Sequence, residues 1–162
     1  MSESHVYSPD SSFAPANRVY GFRYPMDSNG FFSHDWHYLN GMVGDGGIYA
    51  SAHDLLKWDE ALYTEKLVSK ETLDEAFTSG KLKDSSEFQY GFGWQIGKSP
   101  TSGPMIHHSG RWVGFGTFIG REPELHVTVI ILSNNSISNM GPIFNGLAKL
   151  RSDSKNDDSK CP

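Results

Sequence analysis

Histidine, serine and glycine meet in one short run of this chain, His107-His108-Ser109-Gly110. Two adjacent imidazoles on a strand point to opposite faces, so one of them serves a site and the other fills core or meets solvent. A second pair, His34 and His37 in His34-Asp35-Trp36-His37, fits one face of a helix. No third ligand follows in a recognisable pattern, so these histidines are expected to be structural or surface groups and no metal is expected. Gly44, Gly46 and Gly47 imitate a phosphate loop only in composition. They lack the Lys-Ser/Thr end and the strand-loop-helix order. Trp94, Trp112 and Phe115 could line a cleft, but core packing explains them without any function.

The bulk composition narrows the partners. The 162 residues fit one domain, large enough to bury a real core. The formal net charge is -5, with Lys and Arg scattered, which argues against nucleic acid and against a polybasic membrane contact. It leaves a small-molecule substrate open. The single cysteine, Cys161, permits no internal disulfide. No stretch approaches the roughly 20 apolar residues of a membrane span. Met1-Ser2-Glu3-Ser4-His5 has neither a basic nor an apolar run, so no signal peptide is expected.

The elements that must position these residues divide the chain into three stretches. Residues 1–50 are rich in aromatics, Ser, Asn, Pro and Gly, and read as an irregular segment wrapping a cleft, with one short strand over Arg18 to Arg23. Residues 51–151 carry regular structure. Ser51 and Asp54 can cap a helix from Ala52 to about Tyr63, with a stripe of Leu55, Trp58 and Leu62. Ser69 and Thr72 begin a second, short helix that ends at Gly80. Lys81 to Phe88 is a polar loop.

Four strands follow: Gly91 to Gly97, Met105 to Arg111, Phe115 to Arg121 and His126 to Asn134. The last is nearly continuous and β-branched, as a central strand covered on both faces would be. Glu122-Pro123-Glu124 turns the third strand into the fourth. Pro142 opens a final helix with a stripe of Ile143, Leu147 and Leu150, which is expected to lie on the sheet. Residues 152–162 form a polar, disordered tail that includes Asp157-Asp158. The order is α+β: an antiparallel sheet flanked by helices.

Two stretches carry a family resemblance. One is Gly46-Gly47-Ile48-Tyr49-Ala50-Ser51-Ala52-His53-Asp54-Leu55-Leu56-Lys57-Trp58. The other runs from Tyr90-Gly91-Phe92-Gly93-Trp94 through His107-His108-Ser109-Gly110 and Gly114-Phe115 to Val129-Ile130-Ile131-Leu132-Ser133-Asn134. Together they resemble the C-terminal portion of the penicillin-recognising serine hydrolases, the family of class C β-lactamases, D-Ala-D-Ala peptidases and related esterases. A lone His-Ser-Gly would carry no weight; the ordered set with its spacing does, from about Asn17 to Leu150.

The resemblance implies a β-lactamase/transpeptidase-like fold and acyl transfer to a serine, with no cofactor and a small acyl substrate such as a peptide, β-lactam or ester. It makes His108-Ser109-Gly110 the family's third motif, Lys/His-Ser/Thr-Gly. His108 would then organise the site's electrostatics, Ser109 would hydrogen-bond substrate, and Gly110 would leave room along the strand. The backbone N–H of Arg111 would be one oxyanion-hole donor. Histidine in place of lysine leans toward peptidases and esterases. His108 and Gly110 share one strand face and Ser109 takes the other.

The family's first motif, Ser-x-x-Lys, occurs only as Ser152-Asp153-Ser154-Lys155, in the polar tail and after the third motif. It is read as tail, so no nucleophile is assigned in this chain. Tyr38-Leu39-Asn40 spells the second motif, Tyr-x-Asn, but sits too late in the chain and is read as an aromatic loop. The expectation is therefore a part of a serine hydrolase that is inactive alone. The alternative is a catalytically dead relative used for binding or structure. The family's sheet takes two further strands from the N-terminal end of the polypeptide, beside the last strand here. Self-association, or pairing with a separate N-terminal half, is expected at that edge; the alternative is that the early segment, Met1 to Gly47, folds back and caps it.

Overall fold

The computed structural model describes residues 1–6, 17–24, 30–99, 103–135, 140–147 and 149. In chain order the elements are β1 (His5–Val6), β2 (Phe22–Arg23), β3 (Phe32–Ser33), β4 (Ile48–Tyr49), α1 (Ala52–Ala61), α2 (Lys70–Ala76), β5 (Gly80–Lys81) and β6 (Glu87–Phe88). They continue as β7 (Gln95–Ser99), β8 (Gly103–Trp112), β9 (Phe115–Glu122), a 3-10 turn (Pro123–Leu125), β10 (Val127–Ser133) and a helix α3 over residues 140–147. Four strands share one sheet in the order β10-β9-β8-β7. The mixed α+β class expected above is therefore present.

The chain forms two compact units. The first comprises Met1–Leu67, Ser109–Thr117 and Ile130–Ser138, and the second comprises Val68–His108, Phe118–Val129 and Asn139–Pro162.

In the first unit, short antiparallel pairs interrupt the irregular segment: His5 faces Tyr49, Val6 faces Ile48, Phe22 faces Ser33 and Arg23 faces Phe32. The strand expected over Arg18 to Arg23 is confined to its last two residues, because Arg18 is drawn into an ion pair with Asp35. Helix α1 begins where the cap was expected, with Ser51 Oγ accepting from Asp54 N at 3.2 Å. Its buried positions differ from the expected stripe. Leu55, Trp58 and Leu62 are half-buried, whereas Asp54 is 0% exposed and Asp59 is also buried.

Asp54 can be buried because it is fully hydrogen-bonded. It accepts from Glu3 N at 2.8 Å, Ser4 Oγ at 3.0 Å and Lys57 Nζ at 2.9 Å. These bonds depress its pKa. The Lys57 contact is the largest cause; burial opposes it, and the Glu3 and Ser4 donors restore the effect, leaving a value of about 2. Gly114 marks a close backbone approach in this unit. A Cβ there would lie 2.3 Å from Gly21 C and 2.5 Å from His34 O, a space only glycine leaves free.

In the second unit, α2 is capped by Ser69 Oγ accepting from Thr72 N at 3.3 Å. The helix stops at Ala76, earlier than expected, and Gly80 opens β5 instead of closing the helix. The expected polar loop is a small hairpin in which Gly80 faces Phe88 and Lys81 faces Glu87. Opposite charges across the pair, Lys81 and Glu87 at 3.1 Å, favour that register. Strand β7 begins four residues later than expected, since Gly91 N bonds Trp94 O at 2.8 Å in a turn with Gly93 at φ 77. It pairs antiparallel with β8 from Gln95 opposite His107 to Ser99 opposite Gly103.

The expected turn between the last two strands is present, closed by His126 in the left-handed region at φ 51. Helix α3 has Pro142 in its first turn. Its expected stripe is wrong in phase: Ile143 is 47% exposed and Leu147 is exposed too, while Met140 and Phe144 are buried. The helix keeps the aromatic inward because Phe144 meets Phe118 of β9 at 5.2 Å between ring centroids. That contact also lays α3 on the sheet, as expected. Leu150 and the tail 152–162 lie outside the described residues.

Candidate active site

All four site residues expected from the sequence lie on β8, toward its C-terminal end. His108 is half-buried, and its Nε2 lies 3.0 Å from the Tyr90 hydroxyl. The two rings also meet edge to face at 5.9 Å. Tyr90 is itself held by backbone bonds, donating from N to Phe88 O at 2.8 Å and accepting at O from Gly80 N at 3.0 Å. The hairpin that sequence reasoning took for a loop thus fixes the partner of His108. Ser109, Gly110 and Arg111 are exposed.

His107 has a different environment. Its ring stacks on Phe118 at 5.8 Å and 28°, and its Nδ1 is buried without a hydrogen-bond partner. Burial first, and the charge of His108 second, push its pKa below 6.5. The His107 imidazole is packed against a ring, whereas the His108 imidazole is tethered to a phenol hydroxyl.

Gly110 leaves room for a neighbouring side chain: a Cβ there would lie 2.5 Å from Thr117 Oγ1 on the adjacent strand. Two residues further on, Trp112 donates its indole N–H to Asn40 Oδ1 at 2.7 Å. Asn40 belongs to the Tyr38-Leu39-Asn40 run, whose Tyr38 is 74% exposed. His37 lies against Trp112 in an edge-to-face arrangement at 5.2 Å and against Tyr38 at 4.4 Å. His34 contacts Phe32 at 6.2 Å. Among the described residues, no group of three His, Cys, Asp or Glu side chains could hold a metal ion.

Asn40 and Tyr90 were not singled out as site residues. Asn40 lies in the Tyr38-Leu39-Asn40 run that was read as an aromatic loop, and its bond to Trp112, 72 residues away, has no local pattern. Tyr90 had a signal: it opens the Tyr90-Gly91-Phe92-Gly93-Trp94 run that carried part of the resemblance. Ser152 to Lys155 lie outside the described residues.

Comparison with known proteins agrees with the resemblance. The family model described as Beta-lactamase matches residues 1–150. Penicillin-binding protein 4* of Bacillus subtilis (strain 168) is 33% identical over 142 residues, which cover 83% of this chain and 32% of that protein. Putative penicillin-binding protein PbpX of the same organism is 30% identical over 113 residues, 69% of this chain and 26% of that protein. The chain thus spans about a third or less of the length of these relatives. On the extent of the family match, this chain belongs to the beta-lactamase family.

Proposed function

We propose that this chain is the C-terminal part of a serine hydrolase that transfers an acyl group from an amide or ester to a serine outside these residues. The observation that carries the reading is the state of β8: His108 is tethered to Tyr90 while Ser109, Gly110 and Arg111 stay exposed at the end of the same strand. In the reaction, a serine oxygen bonds the substrate carbonyl carbon. The amine or alcohol leaves with a proton, and water then releases the acid. The Arg111 N–H stabilises the oxyanion, a donor worth about 10² to 10³ in rate. Ser109 donates a hydrogen bond to the substrate, and His108, held through Tyr90, sets the field around the reacting carbonyl.

The names of the relatives point to penicillin as a probe. The chain alone should stay unmodified by benzylpenicillin in intact-mass spectra and give no burst with a p-nitrophenyl ester. Supplying a Ser-x-x-Lys segment encoded upstream should produce a stoichiometric acyl adduct on that segment. A stoichiometric adduct on a serine of the 162-residue chain alone would overturn the reading.

The same reading gives the edge of the sheet a role. Strand β10 ends the sheet order among the described residues and carries neither Pro nor Lys; the early segment reaches only the residues just past it, where Phe22 N donates to Asn134 O at 2.8 Å. It is the place where a second copy, or the complementary segment, adds a strand. Sedimentation should show a dimer or larger species that dissociates when the complementary segment is added. A monomer at high concentration, with slow amide exchange along Val127 to Leu132, would count against an open edge.

A further inference from the structure

Trp112 follows the third motif by two residues and is 45% exposed. Its single donor is already used, since the indole N–H bonds Asn40 Oδ1 at 2.7 Å. Asn40 is fixed in turn. Its amide donates to Asp35 O at 3.2 Å, and its backbone N bonds His37 O at 2.9 Å. Asp35 is fixed by Arg18 and by Gly21 N at 2.7 Å. This chain of bonds ties the loop to the end of β8 and sets His37 against the indole in an edge-to-face arrangement. The Trp112 indole, held this way, has no N–H left for a ligand and offers its exposed face. A ligand meets it by stacking.

We propose that Trp112, His37 and Tyr38 form a preformed wall beside the third motif that selects substrates with an aromatic ring in the acyl group, and that Asn40 is the residue that positions it. The proposal rests on the hydrolase reading above and narrows its substrate class. The order of the chain supports it: Ser109 and Gly110, on which substrate is to lie, run directly into Trp112 along one strand. The loop needs no folding event at binding, because each of its anchoring bonds is already made. Loss of Asn40 frees the indole to rotate and removes the wall without touching the motif.

The test is a ratio measured on the complete hydrolase: kcat/KM for a phenylacetyl ester over kcat/KM for the acetyl ester of the same alcohol. Asn40→Ala and Trp112→Ala should each lower that ratio by about fivefold, the scale of one aromatic contact. Trp112→Phe, which keeps a ring, should retain more of the preference than Trp112→Ala. A variant that merely folds less well loses active enzyme for both esters alike and leaves the ratio where it was. An unmoved ratio in both alanine variants would overturn the wall. His108→Ala serves as the control. If it depresses both esters while the Asn40 and Trp112 variants leave the ratio unmoved, the wall fails and the hydrolase reading stands. If His108→Ala changes neither ester, the hydrolase reading fails and the wall with it.

Discussion

The two compact units are held together in opposite ways. All five buried hydrophobic residues among the described residues, Leu73, Met105, Ile106, Met140 and Phe144, belong to the second unit. There, apolar side chains and stacked rings do the packing, down to a buried Arg121 lying over Phe77 at 5.4 Å and Trp94 at 6.0 Å. The first unit buries Asp54 and Asp59 instead, and leaves Val19, Tyr20, Phe31, Trp36, Tyr38 and Ile48 exposed. Its shape rests on polar clasps: the Asp54 hub, the Arg18–Asp35 pair and the Trp112–Asn40 bond. A unit with an apolar core resists loss of a single hydrogen bond. A unit built on clasps does not.

Truncation of the core of the second unit should have the largest effect. Phe144→Ala should cost about 3 to 5 kcal/mol in urea unfolding, since it removes a buried ring and leaves a cavity. Ile143→Ala, one position along the same helix but exposed, should stay within about 0.5 kcal/mol. Equal costs would mean that the phase of α3 is wrong.

Breaking the central clasp of the first unit comes next. Burial alone would lower the Arg18 pKa, but its hydrogen bonds to Asp35 and Tyr49 outweigh that and hold the guanidinium above its ordinary value. Arg18→Ala leaves Asp35 without its cation and should cost about 3 kcal/mol. Faster amide exchange should appear over residues 18–49 and spare α3. Exchange that speeds up equally in both units would erase the distinction between them.

The smallest effect is set by pH. Asp54 is held at about 2, below its ordinary 3.8. A depressed carboxyl contributes stability that is complete above 3.8 and is lost as the pH falls toward 2. The urea midpoint should therefore drop in that window, and Asp54→Asn should flatten the drop. His107 has the same sign at higher pH. Its depressed pKa makes the neutral ring the folded form, so its contribution is complete above 6.5 and declines below that value.

How much of this was legible in the sequence follows from how local each signal is. Both helix starts could be read because Ser51 and Ser69 act on donors three residues away. Three of the four long strands begin and end within a few residues of their expected limits, since β-branched and alternating runs are local patterns. The stripe of α1 does face inward, but the burial of Asp54 beside it could not be read, because it depends on Glu3 and Ser4, far away in sequence. The face of α3 was misread for a similar reason: two stripes were available, and Phe118 decided between them. The His108-Ser109-Gly110 run was visible as residues, but the bonds of His108 to Tyr90 and of Trp112 to Asn40 cross distances no pattern encodes.

The contrast between His107 and His108 tests the placement of the site most directly. In the complete hydrolase, His108→Ala should lower kcat/KM by up to about 10²-fold, the scale of a polar group lost from a dry cleft. His107→Ala, which removes a ring stacked on Phe118, should cost far less activity and act mainly on stability. A large loss at His108 with a small one at His107 is the expected result; equal losses at the two positions would contradict it.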